Sequence, residues 1–184
     1  INAIDECDVA LLVIDATLDI EAQDLSIFRL AKDRHKGIVI VLNKWDLVEK
    51  DTNTARDYEE YIKKRFAPFS DVPVLFISAK DKIRIFKAVE VALEVAANRV
   101  QRVKTSVLNE WLEKVQTKFA PPAHRGHLIK IKYATQLPLY YPAFAFFSNH
   151  PKHIPDSYRS YLENELRKTF PLTGVPITIF FREK

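Results

Sequence analysis

The sequence has 184 residues, of which 47% are hydrophobic, enough for one large or two small globular domains. Its formal net charge is +4, and it has one cysteine, Cys7. No apolar run approaches the roughly 18 residues of a membrane span. We therefore expect no internal disulfide framework, no membrane partner and a reducing, cytoplasmic location.

The first 103 residues predict strands and helices in strict alternation. Apolar runs bounded by acids or turn residues predict strands buried on both faces, and apolar residues at helical spacing predict helices. The predicted strands are 8–15, 38–42 and 74–77, and the predicted helices are 21–36, 54–66 and 83–103. This alternation is typical of an α/β domain with a parallel sheet, in which ligands bind at the carboxyl ends of the strands.

Two details of this region carry further expectations. Gly37 directly follows a predicted helix, where a helix C-cap favours glycine. The long helix 83–103 has a broad apolar side that we expect to face the core, formed by Ile85, Phe86, Val89, Leu93, Ala96 and Val100.

Residues 104–184 predict a separate α+β domain with the order α-β-β-α-β. The helices are expected at 106–119 and 155–170, and the strands at 127–137, 143–149 and 176–183. Residues 105–184 hold 11 Lys and Arg against 6 Asp and Glu, whereas residues 1–104 hold 17 against 18. A basic domain beside a near-neutral one indicates an acidic partner, with RNA as the leading candidate.

This second region is also rich in aromatic residues. They favour packing in a core and at an interface over the stacking of nucleic-acid bases. The residues concerned are Tyr133, Tyr140, Tyr141, Phe144, Phe146 and Phe147.

Polar side chains follow the second predicted strand in the motif Asn43-Lys44-Trp45-Asp46. One ionised carboxylate such as Asp46 can accept both hydrogen bonds that the ring N–H and the amine of guanine offer, and adenine has no such donor pair. Asn43 can bond the base or join neighbouring loops, and the aliphatic stem of Lys44 can lie against the ring. We expect Trp45 to pack, and we expect Asp15 to cap the turn after the first strand.

The third predicted strand ends at Ser78-Ala79-Lys80. A backbone N–H here can donate to the guanine carbonyl, the small Ala79 permits a close approach, and Ser78 can order the loop. Each motif alone is equally consistent with an ordinary polar strand end. Their order on successive strands, with one helix between them, favours a guanine site made of Asn43, Lys44, Asp46 and the three loop residues.

The two motifs resemble the guanine-specificity elements of GTPases, and longer segments are similar to one family. These segments are IDECDVALLVIDATLDIEAQDLSIFRLA, KGIVIVLNKWDLVEKD, KIKYATQLPLYYPAFAFFSN and SYRSYLENELRKTFPLTGVPITIFFREK. Over essentially the whole chain they resemble the Der (EngA) family, in its second GTPase domain and the KH-like domain that follows. The resemblance implies part of a P-loop GTPase domain at 1–103, a KH-like domain at 104–184, and a role in assembly of the large ribosomal subunit. It also implies rRNA and the missing N-terminal GTPase domains as partners.

The sequence lacks the phosphate-binding half of such a domain. A phosphate loop needs two glycines five positions apart, and the three glycines, Gly37, Gly126 and Gly174, are never closer than 48 residues. The chain also has no methionine, not even at position 1, so we expect it to be a fragment or a processed product. We therefore expect no catalytic residue, no metal ligand, no GTP hydrolysis and no tight nucleotide binding here. GTP or GDP and Mg²⁺ are expected cofactors of the full-length protein.

The KH-like region lacks the GXXG loop with which RNA-binding KH domains hold the nucleic-acid backbone. Other basic residues are therefore the candidates for RNA or ribosome contact, although a merely solvated face is an alternative. They are Lys114, Lys118, His124, Arg125, Lys130 and Lys132. Docking of this region on another domain, an Era-like GTPase with a KH tail, and an RNA or protein adaptor without nucleotide binding remain alternatives.

Overall fold

The computed structural model describes residues 2–49, 51–123, 126 and 128–183. The α-helices are α1 Asn2–Glu6, α2 Ala22–Asp33, α3 Thr54–Arg65, α4 Ile85–Val100, α5 Thr105–Lys118 and α6 Asp156–Thr169. The strands are β1 Val9–Asp15, β2 Gly37–Asn43, β3 Val74–Phe76, β4 Ile131–Gln136, β5 Ala143–Ser148 and β6 Thr178–Glu183. Two short 3₁₀ helices cover Trp45–Leu47 and Pro151–His153. The predicted order of elements is confirmed, while α1 and both 3₁₀ helices were not predicted.

The chain forms two compact units. The first consists of Ile1–Arg99 with Thr173–Pro176, and the second of Val100–Leu172 with Ile177–Lys184. The first has the predicted α/β class and the second the predicted α-β-β-α-β order. None of the helices in the described ranges is both long and apolar enough to cross a membrane.

The first unit contains a parallel sheet with strand order β1-β2-β3. The central strand β2 is buried on both faces because α2 and α3 cover one side and α4 covers the other. Asp15 pairs with Asn43, and Leu42 pairs with Phe76, so the three carboxyl ends lie at one edge of the sheet. This confirms the predicted location of the polar strand-end residues.

The burial of β1 and α4 corrects two expectations. Only one face of β1 is buried, through Leu12 and Ile14, whereas Leu11 and Val13 on the other face are 42% and 57% exposed. The buried side of α4 consists of Ala88, Val91, Val95 and Arg99. The side that was expected to face the core is instead exposed at Phe86, Val89, Leu93 and Val100. The prediction failed because α4 is apolar on both sides, and periodicity alone does not show which side meets the sheet.

Gly37 is not a helix C-cap. The left-handed residue after α2 is His35, with φ 53°, and Gly37 is the first residue of β2. Glycine is needed there for space, because a Cβ at Gly37 would lie 2.6 Å from Cγ1 of Val95 and 2.9 Å from Cγ2 of Val9. Close packing of β2 against α4 therefore explains this residue.

The second unit contains a mixed sheet with strand order β4-β5-β6. Strands β4 and β5 are antiparallel, and β5 and β6 are parallel. The core lies between one face of this sheet and the helices α5 and α6, and its fully buried members include Leu108, Phe144, Phe146, Leu162 and Leu166. Phe144 and Phe146 therefore pack in the core, as predicted for these two aromatic residues.

Candidate functional site

The chain turns sharply where β2 ends. Lys44 adopts the left-handed conformation, with φ 62° and ψ 29°, and the 3₁₀ helix Trp45–Leu47 begins immediately after it. A left-handed lysine costs roughly 1–2 kcal/mol, so the surrounding contacts must hold this turn in place. Two backbone bonds do so: the Trp45 N–H donates to Ile77 O at 3.1 Å, and the Leu47 N–H donates to Lys44 O at 3.0 Å.

The two strand-end motifs are joined by a direct hydrogen bond. The backbone N–H of Ala79 donates to Oδ1 of Asn43 at 3.0 Å. This bond crosses 36 positions of sequence and links the loop after β2 to the loop after β3. Of the two roles expected for Asn43, the structure shows the joining of neighbouring loops.

The loop after β3 is held by its own side chains. Ser78 is 2% exposed, and its hydroxyl donates to Oδ2 of Asp81 at 3.1 Å while accepting from the Asp81 N–H at 3.2 Å. Ser78 and Ile83 also exchange backbone hydrogen bonds of 3.2 and 2.9 Å. Together these contacts fix a tight turn that leaves Ala79 and Lys80 exposed.

Lys80 offers a backbone donor beside this bond. The Ala79 N–H, which was one candidate donor to a guanine carbonyl, is already bonded to Asn43. The Lys80 N–H has no acceptor among the residues that the structure describes. The Lys80 N–H is therefore a backbone donor that the described contacts leave available beside the Asn43–Ala79 bond.

Lys44 is held by an ion pair with β1. Its Nζ lies 2.6 Å from Oδ2 of Asp15, and Oδ1 of Asp15 accepts from both the N–H and the hydroxyl of Thr17, at 3.0 and 2.7 Å. The hydrogen bond from Lys44, followed by those from Thr17, lowers the pKa of Asp15 from 3.8 to about 2. Asp15 caps the turn, as expected, and also positions Lys44.

Trp45 and Asp46 differ in their surroundings. The Trp45 ring packs against Phe76 and Tyr58, with centroids 4.3 and 5.2 Å apart, as the sequence predicted. Asp46 lies in the first turn of the 3₁₀ helix and is partly exposed. Packing of Trp45 therefore anchors the turn that carries the Asp46 carboxylate.

The structure gives two residues of this site a role that the sequence did not predict. The sequence predicted only a capping role for Asp15 and no role for Asp81, which orders Ser78. Asp81 lies three residues after Ser78, a spacing at which a serine hydroxyl and a carboxylate can bond across one turn. The Lys44–Asp15 pair joins two strands and could be found only from their register.

The basic residues of the second unit fall into two groups. Lys114 and Lys118 are exposed on α5 and line a groove of about 300 Å³, which Trp111 and Phe170 also line. Lys118 also pairs with Glu165 of α6 at 3.5 Å.

Lys130 and Lys132 form the other group and are exposed on and just before β4. His124 and Arg125 lie outside the described residues. The predicted basic contacts therefore belong to two different elements of the unit.

The second unit matches a known domain family. Residues 102–182 match the family described as the KH-domain-like C-terminal domain of EngA bacterial GTPase enzymes. The class defined by fold and site is thus an α/β unit with polar strand-end loops followed by a KH-like domain.

Curated relatives identify the family over the whole chain. The chain is 52% identical to the GTPase Der of Flavobacterium johnsoniae, 50% to that of Flavobacterium psychrophilum and 47% to that of Bacteroides fragilis. Each match covers 100% of this chain and 42%, 42% and 43% of the relative, respectively. The chain belongs to the Der (EngA) family, and it spans less than half the length of these relatives.

The solved structures that match include a complex of Era with MgGDPNP and nucleotides of 16S ribosomal RNA. It is 17% identical, covers 100% of this chain and 67% of that one, and has a TM-score of 0.44. A likeness of this size carries no argument about fold or function. The curated relatives thus favour the Der family over the Era-like alternative.

Proposed function

We propose that the first unit is the guanine-recognising part of a GTPase domain, divided from the KH-like domain near residues 103 and 104. The observation that carries this proposal is the Asn43–Ala79 hydrogen bond, which brings the two candidate loops together. The Asp46 carboxylate would accept from the ring N–H and amine of guanine, and the Lys80 amide would donate to its carbonyl. Lys44, held by Asp15, would place its aliphatic stem beside the ring.

We infer that the phosphates and Mg²⁺ are held by residues of a longer chain. The sequence has no phosphate loop, and the described residues contain no cluster of three His, Cys, Asp or Glu that could hold a metal. The exposed Leu11 and Val13 of the edge strand β1, with the exposed stripe of α4, form an apolar surface on which a further strand and helix would pack. The 184-residue chain alone would neither hydrolyse GTP nor bind it tightly.

Base selectivity tests the role of Asp46. In a chain as long as the Der relatives, Asp46→Asn should weaken GTP binding and improve binding of xanthosine triphosphate. The amide nitrogen donates where the carboxylate accepts, and the xanthine carbonyl accepts where the guanine amine donates. Titration with fluorescent analogues of both nucleotides measures the exchange of preference.

Asp57→Asn provides a matched control, because Asp57 is exposed in the first turn of α3, outside the candidate loops. It should leave both affinities unchanged. Equal GTP affinity in the Asp46→Asn and parent proteins would show that Asp46 does not contact guanine.

We further propose that the KH-like unit docks the protein on ribosomal RNA, in the large subunit or its precursor, in the cytoplasm. Membership of the Der family and the surplus of 11 basic over 6 acidic residues in 105–184 support this proposal. Added salt should therefore weaken binding, because its cations compete with the protein for the phosphates.

Charge reversal in the two basic groups tests the docking role. Lys114→Glu with Lys118→Glu removes the α5 group, and Lys130→Glu with Lys132→Glu removes the β4 group. Cosedimentation with large-subunit particles at low salt should fall for the group that contacts RNA. Unchanged cosedimentation in both double variants would place the contact elsewhere.

A further inference from the structure

The sheet of the second unit has a second face, on which the small Ala145 is fully buried and the larger aromatic side chains are only partly buried. Ala134, Phe144, Phe146 and Ile179 belong to the core beside α5 and α6. Side chains alternate along a strand, so their neighbours Tyr133, Phe147, Phe180 and Arg182 lie on the opposite face. We call these four residues the aromatic sheet face.

Strand register arranges this face in an ordered row. Tyr133 of β4 is paired with Phe147 of β5, and Phe147 is paired with Arg182 of β6. The Tyr133 and Phe147 rings are stacked, with centroids 4.3 Å apart and planes 10° apart. The guanidinium of Arg182 lies 5.8 Å from the centroid of Phe180. Two parallel rings and a planar cation therefore cross the three strands side by side.

Exposure and charge distinguish this face from a core. The three aromatic residues are each partly exposed, and Arg182 is exposed. Exposed Lys132 adjoins Tyr133 at the irregularity in β4. The only acid in the three strands is Glu183, which alternation places on the helix side. The face therefore combines aromatic surface with positive charge and carries no carboxylate.

We propose that the aromatic sheet face binds single-stranded RNA through base stacking, with Arg182 and Lys132 meeting the phosphates. This inference rests on the proposed RNA-docking role of the unit and names the surface and the form of RNA. Unpaired bases present flat faces that stack on aromatic rings and guanidinium groups, whereas a duplex hides them. A protein segment could bind an uncharged apolar face equally well. The positive charge of this face favours RNA, which is a polyanion.

Ring removal tests the proposal in the 184-residue chain. Tyr133→Leu and Phe147→Leu keep apolar bulk and remove the stacking surface, and Arg182→Gln removes the cation. Fluorescence anisotropy with a labelled 12-nucleotide uridine RNA should show affinity at least about fivefold weaker for each ring variant. Phe86→Leu, which removes a 77% exposed ring from α4, should leave the affinity unchanged.

Two further measurements keep the test decisive if a ring variant unfolds. Arg182→Gln is a surface change and should weaken binding and reduce its salt dependence. In the parent protein, the ring protons of Tyr133 and Phe147 should shift in NMR spectra on adding the RNA. Absence of these shifts, or equal affinity for an RNA hairpin duplex, would overturn the proposal.

Cosedimentation with ribosomal particles distinguishes the docking role of the unit from base stacking on the aromatic sheet face. Parent protein that binds particles but not the uridine RNA would overturn the stacking face and leave the docking role intact. Parent protein that binds neither would overturn the docking role itself. Ring variants that keep RNA affinity but lose particle binding would assign the face to a protein ligand and overturn the proposal.

Discussion

At the scale of single residues, the candidate base site is ordered before any ligand enters it. Asn43 is bonded to the Ala79 amide, Lys44 to Asp15, and Ser78 to Asp81. The first two contacts join different loops at the strand ends, and the third closes the loop after β3 on itself. Because these groups are already ordered, the protein would lose less conformational entropy when a ligand binds.

The Lys44–Asp15 pair predicts a measurable titration. The Asp15 carboxyl should titrate with a pKa of about 2, because Lys44 and Thr17 hydrogen-bond its charged form. Lys44→Met removes the largest of these contributions and should raise the pKa of Asp15 toward 3.8. NMR titration of the side-chain carboxyl carbon measures both values, and an unchanged pKa in the variant would show that Thr17 dominates.

The same shift sets the sign of a pH effect on stability. The pKa of Asp15 is lower in the folded protein than its ordinary value, so the pair stabilises the folded state above about pH 4. This contribution is lost as the pH falls toward about 2. Urea unfolding should therefore show that Asp15→Asn destabilises the protein at pH 6 and has a smaller effect at pH 2.5.

At the scale of secondary-structure elements, close packing positions the sheet beneath the site. Gly37 lets β2 approach α4, and its missing Cβ leaves room for the methyl groups of Val95 and Val9. The same strand ends at Asn43 and is buried along almost its whole length, so a shift at its start would disturb the packing beneath the site. The packing of α4 thus supports the loop that carries the candidate base contacts.

Gly37→Ala should destabilise the first unit by about 1–3 kcal/mol, because the added methyl meets a filled space. Val95→Ala removes the atom that lies 2.6 Å from the new Cβ, so the same substitution should cost less in that background. Urea unfolding of the four proteins of this double-mutant cycle measures the coupling. Independent, additive effects would show that Val95 is not the group that excludes a side chain at position 37.

At the scale of the whole molecule, the first unit leaves several large apolar side chains of α4 and β1 uncovered. Leu93 and Phe86 on α4 are 66% and 77% exposed, and Val13 on the edge strand β1 is 57% exposed. The described residues provide no fourth strand beside β1. An edge strand next to an apolar helix face is the arrangement that a further strand and helix would complete.

Leu93→Lys should affect stability in a longer chain but not in the 184-residue chain. In the 184-residue chain it should reduce self-association and leave the melting temperature unchanged, because Leu93 is exposed there. In a chain as long as the Der relatives it should lower the free energy of unfolding by about 2–3 kcal/mol, because the side chain would be buried. Sedimentation velocity and thermal unfolding measure the two effects.

Leu47→Lys is the matched control for this comparison, because Leu47 is 63% exposed but belongs to the 3₁₀ helix after β2. Leu47→Lys should have little effect on self-association or on the free energy of unfolding in either chain. A similar response to Leu93→Lys in both chains would mean that no further segment covers α4.

The sequence alone determined the elements and their order. Helical and strand periods are local properties, so β2, α5 and β5 were predicted to within a few residues. The sequence also identified two strand-end motifs, Asn43-Lys44-Trp45-Asp46 and Ser78-Ala79-Lys80. Residue type and spacing are enough to show which hydrogen bonds such motifs can form. Family membership followed from the length of the similar segments, which is again a property of the sequence.

Only the tertiary structure decided which of two apolar faces is buried, and which groups meet across strands. It showed that Val91 and Val95, and not Val89 and Leu93, cover the sheet. It also separated Phe146 in the core from Phe147 on the aromatic sheet face, although the two are adjacent in sequence. The physical reason is that burial and register depend on what packs on each face, and that partner lies far away in the sequence.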